Sequence, residues 1–410
     1  MNFLKRIPVL FILAILAYSQ NSLCLNAQLI ITPDLNIEDE WYKTESETVP
    51  SFSTIEKVFK NQYVSIVHVF YDYKLDSNKK ANITFDIQVL SPDNSICFEQ
   101  KNIPALNHQI EVKNKVQMSE SNIKLCFDEA DKYGTYTITS KISDHISGLS
   151  STNTKRINLS EFKQKKYFTS DDEFSNWMFK YYMNPSPEKA VDALIYYSNS
   201  KLNENEDGFM PTISFFLSVF NNNHYLIPII KDEYFKHDLK TKIYIIWLLK
   251  YLDYDSEKFL TSLTGDEKKV FEELKNNRIP LNTDFVNSGT HLDIQWATFS
   301  ATGRFEPIKK IIDSLEFSKY SGAVDAYKNS DKTEKDREEA LLDATFQAAR
   351  WSLTSNIEQH DLVKKYCIYS FINDKHSDDV RLWLGVILSK AVPERFKMVK
   401  GEKGEVRFHY

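Results

Sequence analysis

Near residue 165 the spacing of apolar residues changes, and that change limits the possible folds more than any other feature of the chain. Before it, apolar side chains recur at every second position, as in Ile83, Phe85, Ile87 and Val89 with Thr84, Asp86 and Gln88 between them. A strand turns successive side chains to opposite faces, so this spacing predicts sheets with one buried face. After it, in stretches such as 171–183, 239–252 and 378–391, the interval becomes three to four residues, the spacing of one helical face. The expected fold class is α+β and multidomain. An antiparallel β-sandwich over 51–162 is followed by an all-α domain over 163–392, with about ten helices in stacked hairpins. A chain of 410 residues has room for two such cores.

Strand-like runs occupy 63–71, 82–90, 95–100, 109–116, 122–127, 135–142 and 155–159, broken by Asn, Asp, Ser, Pro and Gly. Between the runs 122–127 and 135–142, and reaching into the second, lies Asp131-Lys132-Tyr133-Gly134-Thr135-Tyr136, which resembles the D-x-x-G-x-Y corner of immunoglobulin-like sandwiches. The resemblance concerns the fold of residues 50–162. It implies that the Tyr136 hydroxyl ties a loop back to the start of a late strand. No Cys stands two residues beyond Tyr136 and no Trp lies in a third strand, so an antibody-type domain is not implied. Such sandwiches host many roles, and the resemblance selects none of them.

The N-terminus reads as an export signal over 1–27. Lys5 and Arg6 supply the positive start, residues 9–18 form a short apolar run, and Leu25-Asn26-Ala27 places a small residue before a cut. Cys24 follows Leu23, where a bacterial lipoprotein signal requires a small residue, so lipidation is not expected. The expected address is the periplasm or the extracellular space. Losing Lys5 and Arg6 with the signal takes the net charge from −6 to −8, a balance that disfavours general nucleic-acid binding. No later stretch is long and apolar enough to span a bilayer. Residues 28–50, with Glu38, Asp39, Glu40, Glu45 and Glu47, read as an exposed acidic lead-in, and 393–410 as a tail ending in a short strand or a flexible end.

Only 10 glycines occur, and they cannot supply a G-x-G-x-x-G dinucleotide loop, a phosphate loop or a G-x-S-x-G nucleophile elbow. Nine histidines form no H-E-x-x-H or H-x-H pair, and no C-x-x-C is present, so no metal or other cofactor is expected. The stretch 203–208 falls short of a calcium loop because Asn203 opens it and Ser214 stands where a bidentate Glu is needed. Cys97 and Cys126 have two readings in an oxidising compartment. They form a bridge contributing about 3 kcal/mol by loop entropy, or each packs as a free thiol.

Three polar clusters merit a structural test. His291, Asp293 and Arg304 lie at the two ends of one expected helix, where capping competes with a functional role. Ser352, His360 and Asp361 make a triad only as a list, since a triad is a matter of geometry. Tyr181-Tyr182 and Tyr196-Tyr197 either line a carbohydrate or peptide groove or pack the helices. Trp247, Trp296 and Trp351, each followed at twelve and sixteen positions by apolar residues, suggest a repeated helix anchor. The expected function is that of a non-enzymatic binding protein of the bacterial envelope, or secreted, with another protein as partner. The alternative is an α-α hydrolase of envelope glycan or peptide using paired carboxylates.

Overall fold

The computed structural model describes residues 25–44, 53–110, 116–252, 256–276, 286–329, 331–401 and 405–410. They divide into two compact units. The first follows Met1–Leu35, Val49–Lys165 and Asn222–Pro228, and the second Asn36–Thr48, Lys166–Asn221 and Ile229–Tyr410. Strands make up the first and helices most of the second.

In the first unit the strands are β1 (Asn26–Thr32), β2 (Lys57–Val58), β3 (Tyr63–Tyr71), β4 (Ile83–Leu90), β5 (Ile96–Leu106), β6 (Gln117–Met118), β7 (Ile123–Cys126), β8 (Gly134–Asp144) and β9 (Leu149–Leu159). One sheet has the order β2-β9-β8-β4-β5, and the other has β1-β3-β6 with β7 also on β3. All pairs are antiparallel except β2 with β9. The two sheets share one apolar core. Leu29, Ile31, Val64, Ile66 and Phe70 come from one, and Ile83, Phe85, Ile87, Val89, Tyr136, Ile138, Ile142 and Ile157 from the other. The alternation in β4 is the one the sequence displays, with odd-numbered residues buried and even-numbered ones half-buried. The stretch 109–116 does not form the expected strand where it is described. Gln109 makes an isolated bridge to Lys80, and 111–115 lie outside the described residues.

Tyr136 donates its hydroxyl to the Lys132 carbonyl at 3.0 Å, closing the 131–136 loop onto β8. Gly134 sits at φ +138°, and a Cβ there would meet Pro92 at 2.9 Å, so glycine is required on both counts. Cys97 and Cys126 are free thiols on strands of different sheets, and no bridge is formed. Burial and the Asp131 charge raise both above the usual thiol range, which favours the protonated form.

Of the stretch read as signal and lead-in, residues 25–44 are described, and they take part in both units. Leu25 is 3% exposed within the sheet core, and Asn26 and Ala27 pair with Tyr71 and Phe70. Further on, Ile37–Tyr42 forms helix α1 of the second unit. Its acidic residues have structural work there. Asp39 accepts the Phe305 backbone N–H at 3.3 Å and Asn36 accepts the Arg304 guanidinium, so this segment caps a helix far along the chain.

The remaining helices are α2 (Asp171–Phe179), α3 (Ala190–Asn199), α4 (Glu206–Asn221), α5 (Leu226–Tyr234), α6 (Leu239–Tyr251), α7 (Glu257–Thr261), α8 (Gly265–Asn276), α9 (Gly289–Thr302), α10 (Phe305–Asp313), α11 (Ala323–Lys328), α12 (Glu334–Gln359), α13 (Asp361–Asn373) and α14 (Asp378–Ala391). Among the described residues no helix is long and apolar enough to cross a membrane. The tail forms a hairpin of β10 (Lys397–Lys400) and β11 (Val406–His409), and Phe408 packs so closely on α14 that a Cβ at Gly385 would lie 2.5 Å from its ring.

The proposed tryptophan anchor fails at Trp351, which is 73% exposed. In α12 the buried apolar positions are Phe346, Ala349, Leu353 and Ile357, and two residues past Ala349 a side chain points to the opposite side. What joins α12 to α13 is instead His360, the single residue between them and only 2% exposed. Its Nδ1 shares a 2.9 Å hydrogen bond with the Tyr182 hydroxyl, and the rings of Phe179 and Phe299 lie against it at 4.2 and 6.0 Å. Burial, and then the Lys180 charge, lower its pKa to about 4.

Two expected outcomes follow from this packing. Tyr182→Phe strands a buried imidazole nitrogen and should cost about 1–2 kcal/mol in denaturant unfolding, without moving the emission of the exposed Trp351. In the sheets, His68 is 1% exposed, its ring lies against that of Phe85 at 4.2 Å, and its Nε2 meets Ser140 Oγ at 2.8 Å. Ser140 donates to the Asp86 carbonyl, so Nε2 carries the proton and Nδ1 is left without a partner. Unfolded, this imidazole titrates near 6.5; folded, burial holds it at about 4. Between those values the unfolded chain binds a proton that the folded chain does not. Stability is full above pH 6.5 and falls toward pH 4 by about 1.4 kcal/mol per unit for this group. Over that range the stability of His68→Phe relative to that of the chain should rise by about 3 kcal/mol as pH falls, read from denaturant unfolding curves of both.

Candidate functional site

The helical unit holds an open cavity of about 450 Å³ lined by Ser170, Asp171, Asp172, Tyr196, Asn199, Ser200 and Lys201. Three short pieces of chain build it: the start of α2, the end of α3, and the turn that follows. The start of α2 is set by Ser170, whose hydroxyl accepts the Glu173 N–H and leaves Asp171 and Asp172 in the first turn. At the other side α3 ends at Asn199, and Ser200 accepts the Leu202 N–H to begin the 3₁₀ turn Lys201–Glu204.

The approach to the cavity is held by a buried carboxylate. Asp192 Oδ2 accepts the backbone N–H groups of Tyr167 and Phe168, the latter at 3.2 Å, where the chain enters this unit. That places the Phe168 ring against Phe174, Trp177 and Tyr196 at 5.2 to 6.1 Å. Tyr196 also stacks on Phe174 at 5.9 Å and donates its hydroxyl to Asp171 Oδ1 at 2.7 Å. The Asp171 hydrogen bond, with crowding second, pushes the phenol up to about 12, so it remains a neutral donor. Its ring is a rigid wall of the cavity. Two charged groups on the rim are unspent: among the described residues neither Asp172 nor Lys201 has a hydrogen-bond or ion-pair partner.

The structure separates His291, Asp293 and Arg304. His291 lies in the first turn of α9, where its backbone N–H is taken by Ser288, and its ring nitrogen Nδ1 is buried without a partner. Burial lowers its pKa. Asp293, two residues on, is raised by burial and by the Asp207 charge. Arg304 follows the far end of the same helix, about 20 Å away at 1.5 Å per residue, past a Gly303 C-cap at φ 65°. Its guanidinium is committed to Asn36. The three form no common site.

Ser352, His360 and Asp361 also stay apart chemically. The Ser352 hydroxyl donates to the Ala349 carbonyl, Asp361 pairs with Lys364 and Lys365, and His360 faces Tyr182. In the 203–208 stretch Asn203 donates to the Tyr197 and Ser198 carbonyls, which is turn structure. Of the four tyrosines, Tyr181 and Tyr197 are buried in packing, Tyr182 holds His360, and only Tyr196 lines the cavity. Sequence reasoning missed Asp172 and Lys201 as its rim. The available signal was Ser170, a cap residue before an acidic first turn, lying one helix away from a serine that opens a turn. Among the described residues no group of three His, Cys, Asp or Glu is placed to hold a metal ion.

A second exposed feature is α12. Trp351 is its most exposed large hydrophobic side chain, and Leu341 on the same helix is 48% exposed. Arg350 beside it turns inward, its guanidinium 5.6 Å from the Phe346 ring and 5.3 Å from that of Trp383.

No family model matches the chain, and no curated protein matches it. Among solved structures it is similar to a family 123 glycoside hydrolase from Clostridium perfringens, described in terms of glycolipid glycan hydrolysis. The identity is 12%, the TM-score is 0.23, and the match spans 44% of this chain and 36% of that one. A superposition at that score bears on neither the fold nor the function of this chain.

Proposed function

We propose that this chain is an exported binding protein that docks another protein on the outer face of α12, with Trp351 at the centre of the contact. The observation that carries the reading is the 73% exposure of Trp351 on a 26-residue helix whose opposite face is packed. Large aromatic side chains give up much apolar area to water when left outside, and they dominate the energetics of protein interfaces when covered. The hydrolase alternative needs two working carboxylates; of the two that line the cavity between α2 and α3, Asp171 is held by the Tyr196 hydroxyl and Asp172 alone is unpartnered among the described residues. Export is supported by Lys5, Arg6 and the apolar run after them. A cut after Ala27 would remove buried Leu25 and two paired residues of β1, so our reading places the cut before Leu25. The intact mass of the secreted chain tests that placement, and a mass beginning at Gln28 overturns it.

For the first unit we read an immunoglobulin-like sandwich, supported by two sheets on one core and by the Tyr136 bond to Lys132. For the second we read helical hairpins, of which α12 and α13 joined through His360 are the clearest.

The docking reading is tested by holding the chain and its Trp351→Ala variant side by side over envelope extract. A protein retained at near-equal stoichiometry by the first should bind the variant at least about tenfold more weakly, the usual effect of truncating a central aromatic. The unfolding midpoint should not move, because the side chain is already in water. Equal retention by both chains rejects the proposal.

A further inference from the structure

We infer that the cavity between α2 and α3 binds a sugar ring, with Tyr196 as its apolar wall and Asp172 and Lys201 as the groups that read its hydroxyls. This site is separate from the α12 face and does not depend on it. The argument begins with the wall. Tyr196 is fixed by Phe168 and Phe174 on one side and by its hydroxyl bond to Asp171 on the other. A ligand stacking on it therefore orders nothing that is not already ordered, which removes a large part of the entropic cost of binding. A sugar ring offers the matching surface, since one face of it is a patch of C–H groups.

The rim then selects among ligands that could stack. Asp172 can only accept hydrogen bonds and Lys201 can only donate them. An apolar ligand would strip water from both charges and return nothing. A simple cation or anion would satisfy one and be repelled by the other. Each sugar hydroxyl both donates and accepts, so a vicinal pair can serve the carboxylate and the ammonium together. The volume, about 450 Å³, lies within the range of roughly 300–1,000 Å³ found for small-molecule sites. Its openness to solvent leaves room for neighbouring residues of a longer glycan.

The test is saturation-transfer NMR on the full chain with glucose, mannose, galactose, N-acetylglucosamine and their β-linked disaccharides at millimolar concentration, with alanine and dialanine as zwitterionic controls. We expect at least one sugar to show transfer strongest at the ring protons of one face. Tyr196→Ala, Asp172→Ala and Lys201→Ala should each weaken its binding by about tenfold, and Tyr196→Phe, which keeps the ring, by much less. Asp172 and Lys201 are exposed, so those two variants read binding without a folding complication. Three outcomes overturn the inference: no transfer to any sugar, transfer unaffected by Lys201→Ala and Asp172→Ala, or binding of dialanine in place of the sugars through the same residues.

Discussion

The helical unit takes its shape at the cavity from one buried carboxylate. Asp192 stands on α3, yet what it satisfies is backbone on the incoming strand of chain, the N–H groups of Tyr167 and Phe168. Unpaired, those donors and that carboxylate would each be costly to bury; paired, they fix the Phe168 ring within reach of three other aromatic residues. The ring positions α2 through Phe174 and Trp177. Trp177 in turn donates its indole N–H to Ser186, the residue before Pro187, and so holds the turn that leads back into α3. The loop of causes closes on the helix where it began. A polar contact of this kind carries little net energy compared with the apolar area around it, but it decides which of many apolar packings is adopted.

The same accounting explains why the polar clusters in the sequence did not become sites. Every helix leaves four N–H groups unsatisfied at its start, and this unit is rich in starts. Ser170, Asp238, Ser288, Thr333 and Ser377 each give a side-chain oxygen to that need. Asp343 does so at a distance, accepting the N–H groups of Gly322 and Val324 at the head of α11 from within α12. A motif search in an all-helical region meets Ser, Thr, Asp and His near one another for this reason alone. Groups that remain unspent after capping are more informative than groups that merely cluster, and Asp172 and Lys201 were found that way.

How far the fold could be read from the chain followed from the range of the interactions involved. Local periodicity decided β4, where Ile83 to Val89 alternate, and α6 and α14, whose limits lie within a residue of those expected. Short helices such as α7 and α11 gave too few turns for a period to show, and α4 carries Pro211 inside it, a residue that read locally marks a helix break. Asp39, read locally as part of a solvated acidic run, shows the limit of such a reading. Asn36 and Asp39 find their partners at Arg304 and Phe305, more than 260 positions away. Trp351 misled in the opposite sense, since a tryptophan in an apolar helix reads as buried, and only the phase set by Phe346, Ala349 and Leu353 shows that it faces out. The cavity was half legible: Tyr196 was among the candidates, while its rim depends on where α3 stops against α2.

Both units keep a neutral imidazole inside, and the physical grounds differ. His68 is lowered by burial alone, among an aromatic ring and serine hydroxyls. His360 is lowered by burial first and by the Lys180 charge second. Lys180 is exposed, so its share is screened by salt, whereas desolvation is not. Acid therefore acts on the two units through the same chemistry but with different sensitivity to ionic strength. The helical unit is the one whose acid response salt should soften, because only there does a solvent-exposed charge contribute to holding the proton off.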